Sequence, residues 1–407
     1  MRKGLLAVIA AFLSALAAIG FAEAKVKGNC VYCHTMHNSE EGRPMSVAAG
    51  AWSGEAVEGI ANPVPGPVLL RTDCIGCHSN AGGETILRVG PNRIPIVRNL
   101  TAPTDPTLAG GNFYYVEALG DAYGHNIMRR DPRFIEAPGL PRRIERLVNP
   151  ALGGYCGNSC HLTLSFPEFN GFVLNGCQGC HFVTFHHSDP GPYTPNPAPG
   201  TVPYNPTFRF LTGHDYYPGF IGPNGAKPAA GAPVEFVTGP SYVEGYEDPD
   251  WEQLVTPAKH NVYMANGLAP SGIINALNHS MSSFCAACHG RFHMNTAILG
   301  PEGETIWVRH PVDITVTARG GEYANYTVYN PQAPLAFDWP VGEGRNMQPS
   351  TSTFGGKITC LTCHRAHGSP FPSILRWNYS EMIAGTGTGS GGCFICHAAK
   401  NAAASSR

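Results

Sequence analysis

Charge is scarce in this sequence. Only 14% of its 407 residues are Asp, Glu, Lys or Arg, and they nearly cancel to a formal net charge of -2. That balance carries no electrostatic footprint for nucleic acid and no basic patch for an anionic lipid surface. Uninterrupted stretches free of chain-breakers are scarce too. There are 49 glycines and 36 prolines, about a fifth of the chain. Both residue types break regular elements, so long helices and wide sheets are excluded. The fraction still falls short of that typical of disorder. After the first two dozen residues no apolar run is long enough to cross a bilayer. No cysteine stands alone, because all 14 fall into seven close pairs. Something other than secondary structure must hold this chain in shape.

The apolar stretch that does exist is at the start. Arg2 and Lys3 precede an apolar run from Leu5 to Phe21, and Ala22-Glu23-Ala24 follows. A positive region, a short apolar core and a small-x-small site read as a secretory signal. Residues 1–24 are therefore expected to be removed. Residues 25–407 are expected to be a single exported domain, passing through the periplasm to the cell surface with no membrane span left.

The cysteine pairs explain what the chain is built around. Six are Cys-x-x-Cys-His: Cys30/Cys33/His34, Cys74/Cys77/His78, Cys177/Cys180/His181, Cys285/Cys288/His289, Cys360/Cys363/His364 and Cys393/Cys396/His397. The seventh is one residue longer, Cys156 to Cys160 followed by His161. Exported cysteines often form disulfides, and closely paired ones often bind zinc. Neither use explains a histidine after the second cysteine of every pair. Cys-x-x-Cys-His is the attachment pattern of c-type haem. Two thiols bond to the porphyrin vinyl groups, and the adjacent imidazole ligates the iron. The expected cofactors are seven covalently bound haem c groups. At Cys156–Cys160 a local disulfide competes with that reading.

Histidine supply fits the demand. Of 17 histidines, seven are the proximal ligands just named. Ten remain for a second axial position on each iron. His37, His125, His187, His214, His260, His310 and His367 are the distal candidates, with His186, His293 and His279 as further ones. Paired imidazole ligation leaves no open position, which suits electron transfer. Spacing restricts the pairing. Two ligands of one iron lie on opposite faces of the ring, whereas residues three apart on a helical turn point the same way. His37 beside His34, and His367 beside His364, are thus expected to serve a different haem. The same holds more loosely for His293 and for His186 and His187. Each such motif would bridge one haem to the next.

The expected fold is a mostly irregular, loop-rich multihaem cytochrome c. It would have short helices, few short strands and a continuous haem chain as its organising feature. A short helix is expected over Cys30–Asn38, extended segments and loops over 86–119, a partly helical stretch over 251–267 and a strand or hairpin over 314–328. Ser188 to Pro206 reads as a proline-rich surface loop. Motif starts are separated by 44, 82, 21, 108, 75 and 33 residues, so there is no fixed repeat.

Cys33-His34-Thr35-Met36-His37-Asn38-Ser39 and the run from Cys360 to Gly368 are specific. With Gly124-His125-Asn126-Ile127 and Arg309-His310-Pro311, they resemble the outer-surface multihaem cytochromes that polymerise into nanowires in metal-reducing bacteria, the OmcS-like family. The resemblance runs in order from the first motif to the last. It implies a loop-built backbone, a stacked haem chain and end-to-end filaments. It also implies that His37 crosses to the adjacent subunit and ligates the haem held by Cys360, Cys363 and His364. The implied partners are a second copy of the chain, other multihaem cytochromes and extracellular electron acceptors. The best-known family member has six haems. This chain has seven motifs, and the stretch from Cys156 to His187 has no close counterpart there.

A monomeric exported shuttle would use the same residues. A multihaem reductase would need an iron with an open position, often marked by Lys in place of the proximal His, and no Cys-x-x-Cys-Lys occurs. The sequence therefore reads as an electron carrier without a catalytic residue.

Overall fold

The computed structural model describes residues 78–104, 108–125, 208–211, 243–265, 279–286, 325–339, 347–387 and 390–401. Shorter pieces lie at 39–40, 43–44, 177, 180–181, 297–299, 306–308, 310, 312–316 and 323. Regular elements in them are short. The α-helices are Tyr114–Leu119, Met281–Ala286, Cys360–Cys363 and Ala398–Asn401. The strands are two to four residues long. Among the described residues no helix is long and apolar enough to cross a membrane.

The widest sheet among these residues has four strands in the order Lys357–Ile358, Leu335–Phe337, Val262–Met264 and Gly245–Tyr246. Its central pair is parallel, with Ala336 opposite Tyr263, and the outer pairs are antiparallel. Val262, Tyr263 and Met264 are all buried, so this strand uses both faces of its two-residue period. Tyr263 turns toward a cluster of Phe208, Leu211, Val243, Met281, Phe284 and Leu361, against which Cys180 and Cys285 also pack. Val262 and Met264 turn the other way, onto Trp339. A third cluster joins Val316, Tyr326, Tyr329, Leu335, Ile358 and Cys396. Burying a large apolar side chain stabilises by about 1.5–3 kcal/mol. These clusters, rather than the two-residue strands, supply the cohesion. They also place motif sulfurs at the edge of the core.

Two segments are laced together by backbone alone. Asn112 donates its N–H to Gly368 O at 3.1 Å, His125 to His367 O at 3.2 Å and Ser369 to Tyr123 O at 2.9 Å. Glycine is required at the crossing. A Cβ on Gly368 would stand 2.6 Å from Asn112 O and 2.8 Å from Tyr123 O. Both obstacles are backbone, so neither can rotate away. Gly368→Ala is expected to cost about 1–3 kcal/mol, the usual penalty of overpacking. It should appear as a lower thermal midpoint, and an unchanged midpoint would show that the crossing is looser than described.

Two local expectations are corrected, and a third is tested only in part. Tyr114–Leu119 is helical inside a stretch expected to hold extended segments and loops. Asn112 Oδ1 accepts the N–H of Tyr114 at 2.9 Å, an Asx turn that leads into the helix, whose N-cap Phe113 makes no side-chain cap. Residues 251–265 contain turns and one strand, Val262–Met264, but no helix. Trp251 and Glu252 there take left-handed φ values of 54° and 63°, which a helix does not admit. Among the described residues of 314–328 there is no hairpin. Thr315 instead bridges Lys357, and Val328 bridges Ser352. The expected helix at Cys30–Asn38 and the proline-rich loop at 188–206 lie outside the described residues.

Candidate haem-binding site

Three attachment turns close on themselves. His181 donates its N–H to Cys177 O at 2.8 Å, His364 to Cys360 O at 3.1 Å and His397 to Cys393 O at 2.9 Å. One helical turn thus sets both sulfurs and the imidazole on the same short loop. The turn at Cys360 is the best supported. Thr359 caps it, and Thr362 reciprocates in a capping box. Thr362 Oγ1 also donates to Pro334 O at 2.5 Å. Ser282 Oγ lies 3.0 Å from Thr359 Oγ1, joining this turn to the helix that carries Cys285.

The proximal imidazoles are oriented by carbonyls. Nδ1 of His78 donates to Pro95 O at 2.8 Å, that of His181 to Arg209 O at 2.8 Å and that of His364 to Ser373 O at 2.8 Å. His125, a distal candidate, donates from Nδ1 to Ala366 O at 2.5 Å. Holding the proton on Nδ1 leaves the Nε2 lone pair for a metal and fixes the ring plane. The carbonyl of Pro95 arrives on the return strand of the hairpin Ile86–Val89 and Asn92–Pro95.

Two of these carbonyls are delivered by the same device. His181 bridges Leu211, and His364 bridges Leu375. Just before each leucine, two consecutive residues are left-handed: Arg209 and Phe210 at φ 51° and 61°, Ser373 and Ile374 at 58° and 52°. Such backbone is strained in non-glycine residues and turns a carbonyl back to the imidazole. At Arg209 the strain is held by a buried polar network. Its guanidinium donates to Asp248 O at 2.7 Å and Asn261 Oδ1 at 2.9 Å. Asn261 N in turn donates to Glu252 Oε1 at 2.7 Å. Burial raises the Glu252 carboxyl above its usual range.

Two motif imidazoles each meet a distal candidate from elsewhere in the chain. His181 and His367 have ring centres 6.0 Å apart, tilted by 56°. His310 and His397 are 6.2 Å apart and nearly perpendicular. An iron between two imidazole nitrogens, with metal–nitrogen bonds of about 2 Å, puts ring centres about 6 Å apart. His367 rests on Phe113 at 4.7 Å, and its Nδ1 is buried beside the backbone of Gly110 and Gly111. Burial and the neighbouring imidazoles push its pKa down to about 3. Burial likewise lowers His78, His125 and His279. These rings are therefore neutral at physiological pH, the form that binds a metal.

His260 is set apart from the other distal candidates. It is buried and stacked on Tyr329 at 3.6 Å and 10°. Nδ1 lies 2.6 Å from Asn261 O, and Nε2 lies 3.2 Å from Ser350 O. Its Nε2 is aimed at a carbonyl rather than at a motif. His279 is buried, and His310 is exposed at its edge.

The sulfurs also meet across motifs. None of the seven described cysteines is in a disulfide. A hydrogen bond from Cys360, then burial, holds the Cys285 thiol well above its ordinary pKa, and Cys180 lies close by. Burial raises Cys363 to about 12, with Cys393 and Cys396 as its neighbours. Paired thiols, a following imidazole on Nε2 and opposing imidazoles about 6 Å away fit covalent haem. Among the described residues no three His, Cys, Asp or Glu side chains form a group that could hold a bare metal ion.

Cys30, Cys33, His34, His37, Cys74, Cys77, Cys156, Cys160, His161, His186, His187, His214, Cys288, His289 and His293 lie outside the described residues. Sequence reasoning overlooked Tyr323, whose ring meets His397 at 5.2 Å, and Tyr329 on His260. Neither has a spacing signal. Both come from loops that reach the histidines only in three dimensions.

Comparison with known proteins agrees with this chemistry. Residues 354–402 match the family model for a doubled CXXCH motif. The chain is 26% identical over 438 residues to the C-type cytochrome OmcS of Geobacter sulfurreducens, covering 96% of this chain and 89% of that protein. Solved structures of the outer membrane cytochrome S filament and of OmcS nanowires from Geobacter sulfurreducens each share 20% identity. The first covers 94% of this chain and 93% of its own at a TM-score of 0.41. The second covers 91% and 88% at 0.42.

Proposed function

We propose that this OmcS-like multihaem c-type cytochrome carries electrons outside the cell through seven bis-histidine haems, in filaments assembled from copies of itself. The observation that carries the reading is the opposition of two imidazoles at about 6 Å, His367 against His181, whose ring is oriented from behind by Arg209 O. Bound haem supplies one-electron chemistry at iron. The chain's own part is to hold the ring planes, withhold water and close the sixth position.

Each residue has a stated task. Cys177, Cys180 and His181 would hold one haem, with His367 on its far side. Cys393, Cys396 and His397 would hold the last, with His310 opposite. His367 follows His364 by three residues, so one turn serves two haems. The contact of Cys285 with Cys360, and the closeness of Cys363 to Cys393, support a continuous order from the fifth motif to the seventh. A closed sixth position disfavours substrate chemistry, so the protein is an electron carrier rather than an enzyme. Its donors and acceptors would be other multihaem cytochromes and extracellular oxidants.

Filament growth rests on His37, proposed to ligate the haem of Cys360, Cys363 and His364 in the adjacent subunit. Purified mature protein is expected to carry seven porphyrins by intact mass and to appear as filaments in electron micrographs. His37→Ala is expected to retain the porphyrins and leave monomers. Filaments formed by that variant would remove the link, and a chain without covalent porphyrin would remove the whole reading.

A further inference from the structure

Two buried donors that lack an acceptor are consecutive in sequence: Nη2 of Arg376 and Nε1 of Trp377. Both lie between attachment turns. The Arg376 backbone N–H donates to Cys363 O at 2.8 Å, and its Nε donates to Leu361 O at 2.6 Å. The guanidinium is thereby laid along the Cys360–His364 turn. The Trp377 indole covers Gly392, where a Cβ would stand 2.9 Å from both Cγ and Cδ1. Nε1 is bonded to that Cδ1. Gly392 immediately precedes Cys393. The dipeptide therefore reaches from the sixth turn to the seventh.

A buried donor left unpaired costs about 1–3 kcal/mol, and more when it is charged. Two adjacent ones point to an acceptor that arrives with a ligand. The described residues do not provide it. Glu252 feels the field of Arg376, but its Oε1 accepts from Asn261 N, and among the described residues no ion pair joins it to Arg376. The acceptor must suit a guanidinium fork and an indole N–H together, which is the chemistry of a carboxylate. A porphyrin of the haem type carries two carboxylates, on the edge opposite the vinyl groups. The haem tethered at Cys360 and Cys363 would turn its vinyl edge toward this turn and its carboxylates away.

We propose that Arg376 and Trp377 form a clamp for a propionate of a neighbouring haem, docked where the sixth and seventh attachment turns meet. The inference rests on the haem reading above. The clamp positions one porphyrin against the next turn. It also sets its potential, because a guanidinium on the propionate offsets a negative charge near the iron.

The test uses full-length mature protein with Arg376→Met, Arg376→Lys and Trp377→Phe. Intact mass and spectroelectrochemical titration are both read. Trp377→Phe keeps the ring on Gly392 and removes only the N–H, so it guards against a variant that fails to fold. The porphyrin count is expected to stay at the wild-type value in all three. One midpoint should fall in Arg376→Met by about 59 mV, a tenfold change in the ratio of reduced to oxidised haem at fixed potential. Arg376→Lys and Trp377→Phe should shift the same midpoint by less. Full porphyrin loading with every midpoint unmoved would overturn the clamp. A wild-type chain without porphyrin would instead overturn the haem reading beneath it.

Discussion

His367→Ala is expected to convert one low-spin haem per chain to the high-spin form. The ring of His367 faces His181 at 6.0 Å, and it rests on Phe113 in a place that Gly110 keeps open. A Cβ on Gly110 would lie 2.8 Å from the His367 Nδ1. Alanine leaves the far side of that haem without the His367 nitrogen. The ferric protein should then bind one equivalent of cyanide where the wild type binds none. His260→Ala provides the contrast. Its nitrogens already face Asn261 O and Ser350 O, so the low-spin count should hold while thermal stability falls. A spectrum unchanged in His367→Ala, or a new high-spin signal in His260→Ala, would reverse these assignments.

Removing the tether at Cys360 and Cys363 should have a larger structural effect. The turn between them joins separate parts of the molecule: Ser282 through Thr359, Pro334 through Thr362, and Arg376 through Leu361. Leu361 also lies in the cluster that holds Phe208, Tyr263 and Met281. In the Cys360→Ala, Cys363→Ala double variant the porphyrin's cross-link and its buried face are lost together. The destabilisation should exceed the about 2–5 kcal/mol that follows loss of a native disulfide in a small exported domain. The expected results are one porphyrin fewer by mass and early proteolysis within the described core. A variant that melts with the wild type would mean that side-chain packing alone sustains the fold.

Attachment chemistry was legible in the sequence because it is local. Two thiols and an imidazole within five residues must form one turn, and the closures at His181, His364 and His397 have that form. The scarcity of regular structure was legible as well, from glycine and proline. The opposing imidazoles were not. His367 and His181 are far apart in the chain, and only the backbone crossing at Gly111, Gly124 and Gly368 brings the first into place. The helix Tyr114–Leu119 was hidden by its glycine-rich surroundings and by the lack of a side-chain cap at Phe113. The left-handed pairs at Arg209–Phe210 and Ser373–Ile374 were hidden for another reason. None of those four residues favours that conformation, so the tertiary network imposes it.

The imidazole-orienting groups of His78, His181 and His364 are all peptide oxygens. No side-chain substitution deletes a peptide oxygen. A lineage can therefore exchange most residues around these rings without losing the groups that fix proton position and ring plane. Evolutionary drift in such a protein falls on packing and surface, and the electronic behaviour of the ligands is insulated from it.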